Sequence, residues 1–239
     1  MDYFCRLMTK KYTDILFDFD KTLWDFDANS KETFLDLCTY FDLGRRDIND
    51  FSAFFEDYER INLELWDQYR KDQISKADLM VRRFYNVLLK YGIDDHELAG
   101  RFSEQYLAVL PTKTRVFPHT HETLGYLNAR YRLHIVTNGF EEVQYKKIQL
   151  AGLDQYFTHV FTSEKANYKK PDIKFFEFVL SEINALPGDC LMIGDDIEVD
   201  LLGSRNAGID QVFFNSENIP HSESFTFEIS QLNELIEIL

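Results

Sequence analysis

Residues 15–25 read ILFDFDKTLWD, an apolar run that ends in two aspartates separated by one phenylalanine. In a strand, residues i and i+2 point to the same side, so Asp18 and Asp20 crowd two carboxylates where a buried strand emerges, with Phe19 facing the other way. Like charges that close cost energy unless something positive sits with them. Three further apolar runs end in polar clusters. Thr137-Asn138-Gly139 closes RLHIVT, Lys169-Lys170-Pro171-Asp172 follows HVFTS, and Gly194-Asp195-Asp196 closes CLMIG, with Asp200 a little further on. Carboxylates from two adjacent strand ends make an all-oxygen site that suits Mg²⁺. A hydroxyl, an amide and an ammonium complete an inventory able to hold a phosphate, with lysine as a point charge and helix N-terminal N–H groups adding anion affinity.

The elements that must position these groups follow from periodicity. Five short runs rich in β-branched and aromatic residues predict buried strands: DILFDF (14–19), RLHIVT (132–137), HVFTS (159–163), CLMIG (190–194) and QVFFN (211–215). Helical stretches lie between four of them: HTHETLGYLNARY before the second strand, GFEEVQYKKIQLAGL after it, then KPDIKFFEFVLSEI and EVDLLGSRNAG, with Gly152 and Gly208 where helix ends are expected. Alternating strand and helix predicts an α/β fold with a doubly wound parallel sheet, and such sheets bind ligands beyond the carboxyl ends of their strands. The four polar clusters therefore converge on one rim.

The first strand breaks the rhythm. Helical periodicity without strand signal fills the stretch before the second strand. Phe51, Phe54, Phe55, Tyr58, Leu65, Trp66 and Tyr69 recur at spacings near three and four, and Asn29, Ser75 and either Asp94 or Asp95 read as N-caps. Residues 25–111 are read as an inserted α-helical cap, and residues 1–24 with 112–239 as the catalytic core.

Composition narrows the function. A net charge of −15, from 41 acidic and 26 basic side chains, repels nucleic acid polymers and anionic membranes. It leaves room for a small anionic substrate, since one metal ion and one lysine reverse the potential inside a pocket. The length of 239 residues, 45% hydrophobic, suits a globular protein with a sizeable core. No apolar stretch is long enough for a membrane span, and the N-terminus lacks a secretory h-region. Cys5, Cys38 and Cys190 form no CxxC pair and read as thiols in a reducing cytoplasm. The histidines do not suggest zinc chemistry.

Taken in order, DFDKT, TNG, KKPD and GDDIEVD resemble the four motifs of the haloacid dehalogenase (HAD) superfamily of aspartate-nucleophile hydrolases, and the helical insertion resembles its cap of the first type. FDFDKTLWDFD, FEDYERINLELWDQY and IVTNGF are similar to the YjjG-type branch, whose members are pyrimidine nucleoside monophosphate 5′-nucleotidases. The resemblance implies a HAD-like Rossmannoid core and assigns roles. Asp18 is the nucleophile, forming an aspartyl-phosphate, and Asp20 the general acid/base. Thr137, with Asn138 and the peptide N–H groups beyond, binds phosphate. Lys170 neutralises the phosphoryl oxygens and the nucleophile, while Lys169 points elsewhere. Mg²⁺ is held by the Asp18 carboxylate, the Asp20 backbone carbonyl and Asp195. Asp196 or Asp200 acts on the metal directly, through water, or by orienting Lys170.

The expected activity is Mg²⁺-dependent hydrolysis of a small phosphorylated metabolite, a nucleoside 5′-monophosphate of pyrimidine type; a sugar-phosphate phosphatase or phosphomutase is the alternative. A dehalogenase would lack the acid at Asp20. A response-regulator receiver carries similar groups in another order, with Lys-Pro last, whereas here Lys170-Pro171 precedes Asp195-Asp196. A catalytically retired interaction protein would be missing a motif position. Substrate selection falls to Trp24, Tyr58, Asn62 and Trp66; Trp24 either lines the pocket or anchors the hinge, and the aromatics at helical spacing are also what a helical core would use.

Overall fold

The computed structural model describes residues 12–239. Its six strands are β1 (Asp14–Phe17), β2 (Arg132–Thr137), β3 (His159–Thr162), β4 (Cys190–Gly194), β5 (Asp210–Phe214) and β6 (Phe227–Ile229). They form one sheet in the order β3-β2-β1-β4-β5-β6, and every pairing is parallel. β1 lies at the centre and is buried throughout, as a strand covered on both faces must be. The order runs outward from β1 to β2 and β3, then restarts at β4 on its other side. That reversal creates the crevice where doubly wound sheets take ligands.

The expected strands sit where their apolar runs predict: β2 and β4 match to the residue, β1 and β3 end two and one residues early, and β5 is shifted by one residue toward the N-terminus. The trimming at β1 matters most: pairing stops at Phe17, so Asp18 and Phe19 leave the ladder, with Asp18 N–H still donating to Ile193 C=O at 2.9 Å. β6 is an additional strand. Its three residues carry no apolar run, and it joins the sheet by pairing Phe227–Ile229 with Val212–Phe214.

Among the described residues, ten α-helices accompany the sheet. The first four are α1 (Phe26–Tyr40), α2 (Phe51–Arg70), α3 (Lys76–Lys90) and α4 (His96–Val109). The others are α5 (Thr120–Asn128), α6 (Glu141–Leu150), α7 (Ser163–Ala166), α8 (Ile173–Ile183), α9 (Gly203–Asn206) and α10 (Leu235–Ile238). Gly152 and Gly208 follow α6 and α9 with φ of +66° and +79°, the left-handed conformation that ends a helix cheaply only at glycine. Between β4 and α9 the chain winds as a π-helix over Ile197–Leu202, where the sequence predicts one ordinary helix. Leu16, Val136, Phe161, Phe175, Phe176 and Met192 meet in one buried cluster of strand and helix side chains.

The chain divides into two compact units, one ending at Phe26 and resuming over Arg115–Leu239, the other Asp27–Thr114. The crossings thus follow residues 26 and 114 rather than the expected 24 and 111. The reason is visible at the first crossing. Trp24 is fully buried in the sheet unit, bridged to Val116 and stacked on Phe19 at 6.4 Å, and the next two residues stay with it: Asp25 N–H donates to Arg115 C=O at 3.1 Å and the Phe26 ring lies 6.2 Å from the Trp24 ring.

The helical unit is organised around Phe34, whose ring centroid lies 4.4 to 6.4 Å from those of Phe54, Phe55, Tyr58, Phe84 and Phe102. Ser75 caps α3 in a reciprocal capping box with Asp78, and Asp95, not Asp94, caps α4 through Leu98 N–H. Asn29 is not a cap: α1 begins three residues earlier at Phe26, and Asn29 is buried within it. Among the described residues no helix is long and apolar enough to cross a membrane. Cys190 is buried and Cys38 partly so, both as free thiols whose pKa burial pushes up to about 12; Cys5 lies outside the described residues.

Replacing Phe34 by alanine removes the ring that the other aromatics share. The expected cost is about 3–5 kcal/mol, read as a lower urea midpoint for the loss of helical circular dichroism.

Candidate active site

The carboxyl ends of β2, β1 and β4 lie side by side, and the three strands deliver Thr137, then Asp18, then Gly194-Asp195. Lys170 arrives from the loop before α8 and is 1% exposed. Its ammonium donates to Asp18 Oδ1 at 2.6 Å, Asp200 Oδ1 at 2.6 Å and the Val136 carbonyl at 2.8 Å. A lysine has three N–H donors, and here each has an acceptor. Lys169, beside it, is only partly buried.

Asp18, Asp195 and Asp200 each bring a carboxylate oxygen to within 4.8 Å of the others. Asp195 Oδ1 accepts from Thr22 Oγ1 at 3.0 Å. Asp200 uses both oxygens within the protein, Oδ1 on Lys170 and Oδ2 on Asp196 N–H at 3.2 Å. Of the roles open to Asp200, this geometry favours orienting Lys170. Asp196 turns away from the trio: its Oδ1 accepts from Glu198 and Val199 N–H and caps the π-helix. Gly194 is required by close approach, since a Cβ there would lie 2.5 Å from Asp200 Oδ2.

Three carboxylates and one ammonium leave two negative charges in a buried place, which a divalent cation would balance. The pKa directions agree. Burial pushes Asp18 well above its usual value; Lys170 opposes this, and Asp200 and Asp195 add to it. Burial, then the neighbouring Asp200, push Asp195 up to about 8. Burial also raises Asp200. At Lys170 burial works to lower the pKa, but Asp18 and Asp200 outweigh it and the net shift is upward. The donor set of Asp18 and Asp195, all oxygen, fits a hard divalent ion.

Asp20 stands apart from the trio. Its Oδ1 accepts from Lys147 Nζ at 2.6 Å and its Oδ2 from Gln144 Nε2 at 2.9 Å. Gln144 also donates to Thr137 Oγ1 at 2.8 Å, and Gly139 N–H donates to the same oxygen at 3.0 Å. With its oxygen accepting twice, the Thr137 hydroxyl keeps its proton to give. Gly139 allows Gln144 this approach, because a Cβ there would sit 2.4 Å from the amide nitrogen. Sequence reasoning missed Gln144 and Lys147: they lie in the polar stretch EEVQYKKIQL, and only their burial, 0% and 3% exposed, sets them apart.

Asn138 is placed differently from expectation. Its side-chain amide pairs with the Lys170 backbone, donating to the carbonyl and accepting from N–H, both at 2.9 Å. It holds the lysine's main chain. In the helical unit Tyr58 is 1% exposed within the aromatic core, which corrects its reading as a substrate contact. Asn62 is buried and accepts from Arg83 Nη1 at 3.4 Å; Trp66 is half-buried, edge-on to Tyr69 at 5.7 Å. Trp24 is fully buried within the sheet unit. His119 and His121 lie two residues apart, and their ring nitrogens face Glu122 and Tyr156 respectively.

A family model for haloacid dehalogenase-like hydrolases matches residues 15–214. The chain belongs to this family. It is therefore a hydrolase, with the family's doubly wound core and helical insertion. It is 31% identical to the pyrimidine 5′-nucleotidase PynA of Streptococcus pneumoniae, over 95% of each chain. It is 28% identical to the pyrimidine 5′-nucleotidase YjjG of Escherichia coli, over 96% of this chain and 98% of that one. Among solved structures, the HAD-hydrolase YfnB of Bacillus subtilis, described as bound to magnesium, superposes with a TM-score of 0.85 at 27% identity, covering 95% of this chain and 98% of that one.

Two outcomes follow. Gly194→Ala should displace Asp200, cost about 1–3 kcal/mol as overpacking does, and reduce turnover, checked by melting and activity together. A folded state that holds Asp195 protonated to about pH 8 binds more protons than an unfolded one titrating near 3.9, so stability in chelator falls as pH rises between these values. A divalent cation removes the penalty. Adding Mg²⁺ should therefore raise the melting temperature more above pH 8 than at pH 6.

Proposed function

We propose that the protein is a Mg²⁺-dependent phosphomonoesterase acting on nucleoside 5′-monophosphates, of pyrimidine type, through an aspartyl-phosphate on Asp18. The observation that carries this reading is the division of the aspartate pair. Asp18 sits with Lys170 beside Asp195 and Asp200, while Asp20 is held separately by Lys147 and Gln144. This division supports assigning the attack to one carboxylate and the proton transfer to the other.

In the first step the Asp18 carboxylate attacks phosphorus as the bond to the leaving oxygen breaks, and the Asp20 carboxyl gives that oxygen its proton. In the second step Asp20 takes a proton from water as the water oxygen attacks phosphorus. The bond to Asp18 breaks, phosphate is released and both carboxyl groups return to their starting states. Lys170 lowers repulsion between the nucleophile and the incoming anion, and the Thr137 hydroxyl with the peptide N–H groups after it holds phosphoryl oxygens. Mg²⁺, bound by Asp18, Asp195 and the Asp20 carbonyl, would supply further neutralisation of charge on the phosphoryl group.

Support for a nucleotide as substrate is the near full-length similarity to two pyrimidine 5′-nucleotidases. We assign the choice of substrate to the helical unit, with Asn62 and the half-buried Trp66 as its candidates.

The test is phosphate release with Mg²⁺ from dUMP, dTMP, UMP, purine monophosphates and sugar phosphates. Pyrimidine monophosphates should be turned over best. Equal or faster hydrolysis of sugar phosphates would remove the nucleotidase reading and keep the phosphatase. Asp18→Asn should abolish turnover, and Asp20→Ala should lower it by about 10²- to 10⁴-fold; ordinary turnover by Asp18→Asn would defeat the mechanism.

A further inference from the structure

The helix α6 leaves the carboxyl end of β2 and turns one face inward. Gln144 and Lys147 are three apart on that face, so their side chains lie one above the other, and both are buried. An ammonium removed from water is costly unless it is paired and hydrogen-bonded. The partner found here is the Asp20 carboxylate, whose side chain is itself 26% exposed. An ion pair meant only for stability could form at the surface at no such cost. The Lys147 ammonium also lies 4.2 Å from the Trp24 ring centroid and 5.4 Å from that of Phe26, within the range of attraction to an aromatic face.

Together Lys147 and Gln144 occupy both oxygens of Asp20, one each. Rotation of the carboxyl about its own bonds is thereby restricted. The same contacts draw it toward α6, and Asp20 is absent from the group of three carboxylates that come within 4.8 Å of one another. Gln144 links the arrangement to the Thr137 hydroxyl, so the proton-moving group and the phosphate-holding group share a support.

We infer that Lys147, assisted by Gln144, is the positioning residue for the acid/base Asp20, setting the direction along which a proton reaches the leaving oxygen. The inference rests on the reading of Asp20 given above. In this role Lys147 acts through Asp20, whose Oδ1 it holds, and not on phosphorus itself. The step that depends on it is leaving-group departure, in which the P–O bond breaks and the Asp20 proton moves to the departing oxygen. A nucleoside alkoxide needs that proton, whereas p-nitrophenolate is stable without it.

The experiment compares kcat/KM, which reports events up to leaving-group departure, for UMP and p-nitrophenyl phosphate in wild type, Lys147→Met, Lys147→Arg and Asp20→Ala. In Lys147→Met the value for UMP should fall by about 10- to 100-fold, part of what a positioned acid contributes, with the value for p-nitrophenyl phosphate little changed. Lys147→Arg should recover most of the loss. Lys147→Gln gives the same comparison should the methionine variant not fold. Equal losses on both substrates, no loss on UMP, or no recovery with arginine would overturn the inference. If Asp20→Ala shows the leaving-group dependence and Lys147→Met does not, the role of Lys147 alone is refuted; if Asp20→Ala shows none, the reading of Asp20 falls and the inference with it.

Discussion

Two carboxylates two residues apart at a strand end repel each other, and each is answered by its own buried lysine. Lys170 takes Asp18 and Lys147 takes Asp20. The lysines come from different parts of the chain, one from the loop before α8 and one from α6, so they pull the pair apart while compensating it. A single shared cation would leave the two groups chemically alike. With two, Asp18 is drawn into an acidic cluster and Asp20 is held outside it. Much of the surrounding structure serves this separation. Gly194 lets Asp200 reach Lys170, Asn138 ties down the Lys170 backbone, and Gly139 admits Gln144 to Thr137.

The topology makes that arrangement possible. β1 is central, so β2 and β4 flank it and their ends present Thr137 and Asp195 on either side of Asp18. Because the strands are parallel, all three chemistry-bearing ends emerge on one rim. The site's groups emerge where pairing stops, while a separate buried polar pair, His134 of β2 with Asp14 of β1 at 2.9 Å, lies within the ladder. Lys170 reaches back into the strands, its ammonium donating to the Val136 carbonyl. A charge so buried is tolerable because every N–H has an acceptor.

The groups legible in the sequence were those whose position follows from local pattern. Asp18, Thr137 and Asp195 close apolar runs, and a run of that kind specifies its own end. Ser75 with Asp78 and Asp95 before α4 are caps whose partners lie within three residues. What stayed hidden depends on non-local contact. Lys147 follows another lysine in a polar helix, and nothing in that spacing tells a buried ammonium from a solvated one. The pairing of Asn138 with the Lys170 backbone, 32 residues away along the chain, is likewise invisible in the local pattern. β6 has only three residues and exists because β5 offers an edge. Tyr58 has the spacing of a helical core residue and that is how the fold uses it, since Phe34 lies 4.4 Å from its ring.

The chain holds two tryptophans, and they fall one to each unit. Trp24 is sealed in the sheet unit against Phe19 with the Lys147 ammonium 4.2 Å from its ring, whereas Trp66 is half-buried on α2. Their emission should differ in colour and in access to quenchers. The molecule thus carries two intrinsic fluorophores, one reporting the electrostatic surroundings of Asp20 and Lys147 and the other the solvent exposure of the helical unit, readable without any added label.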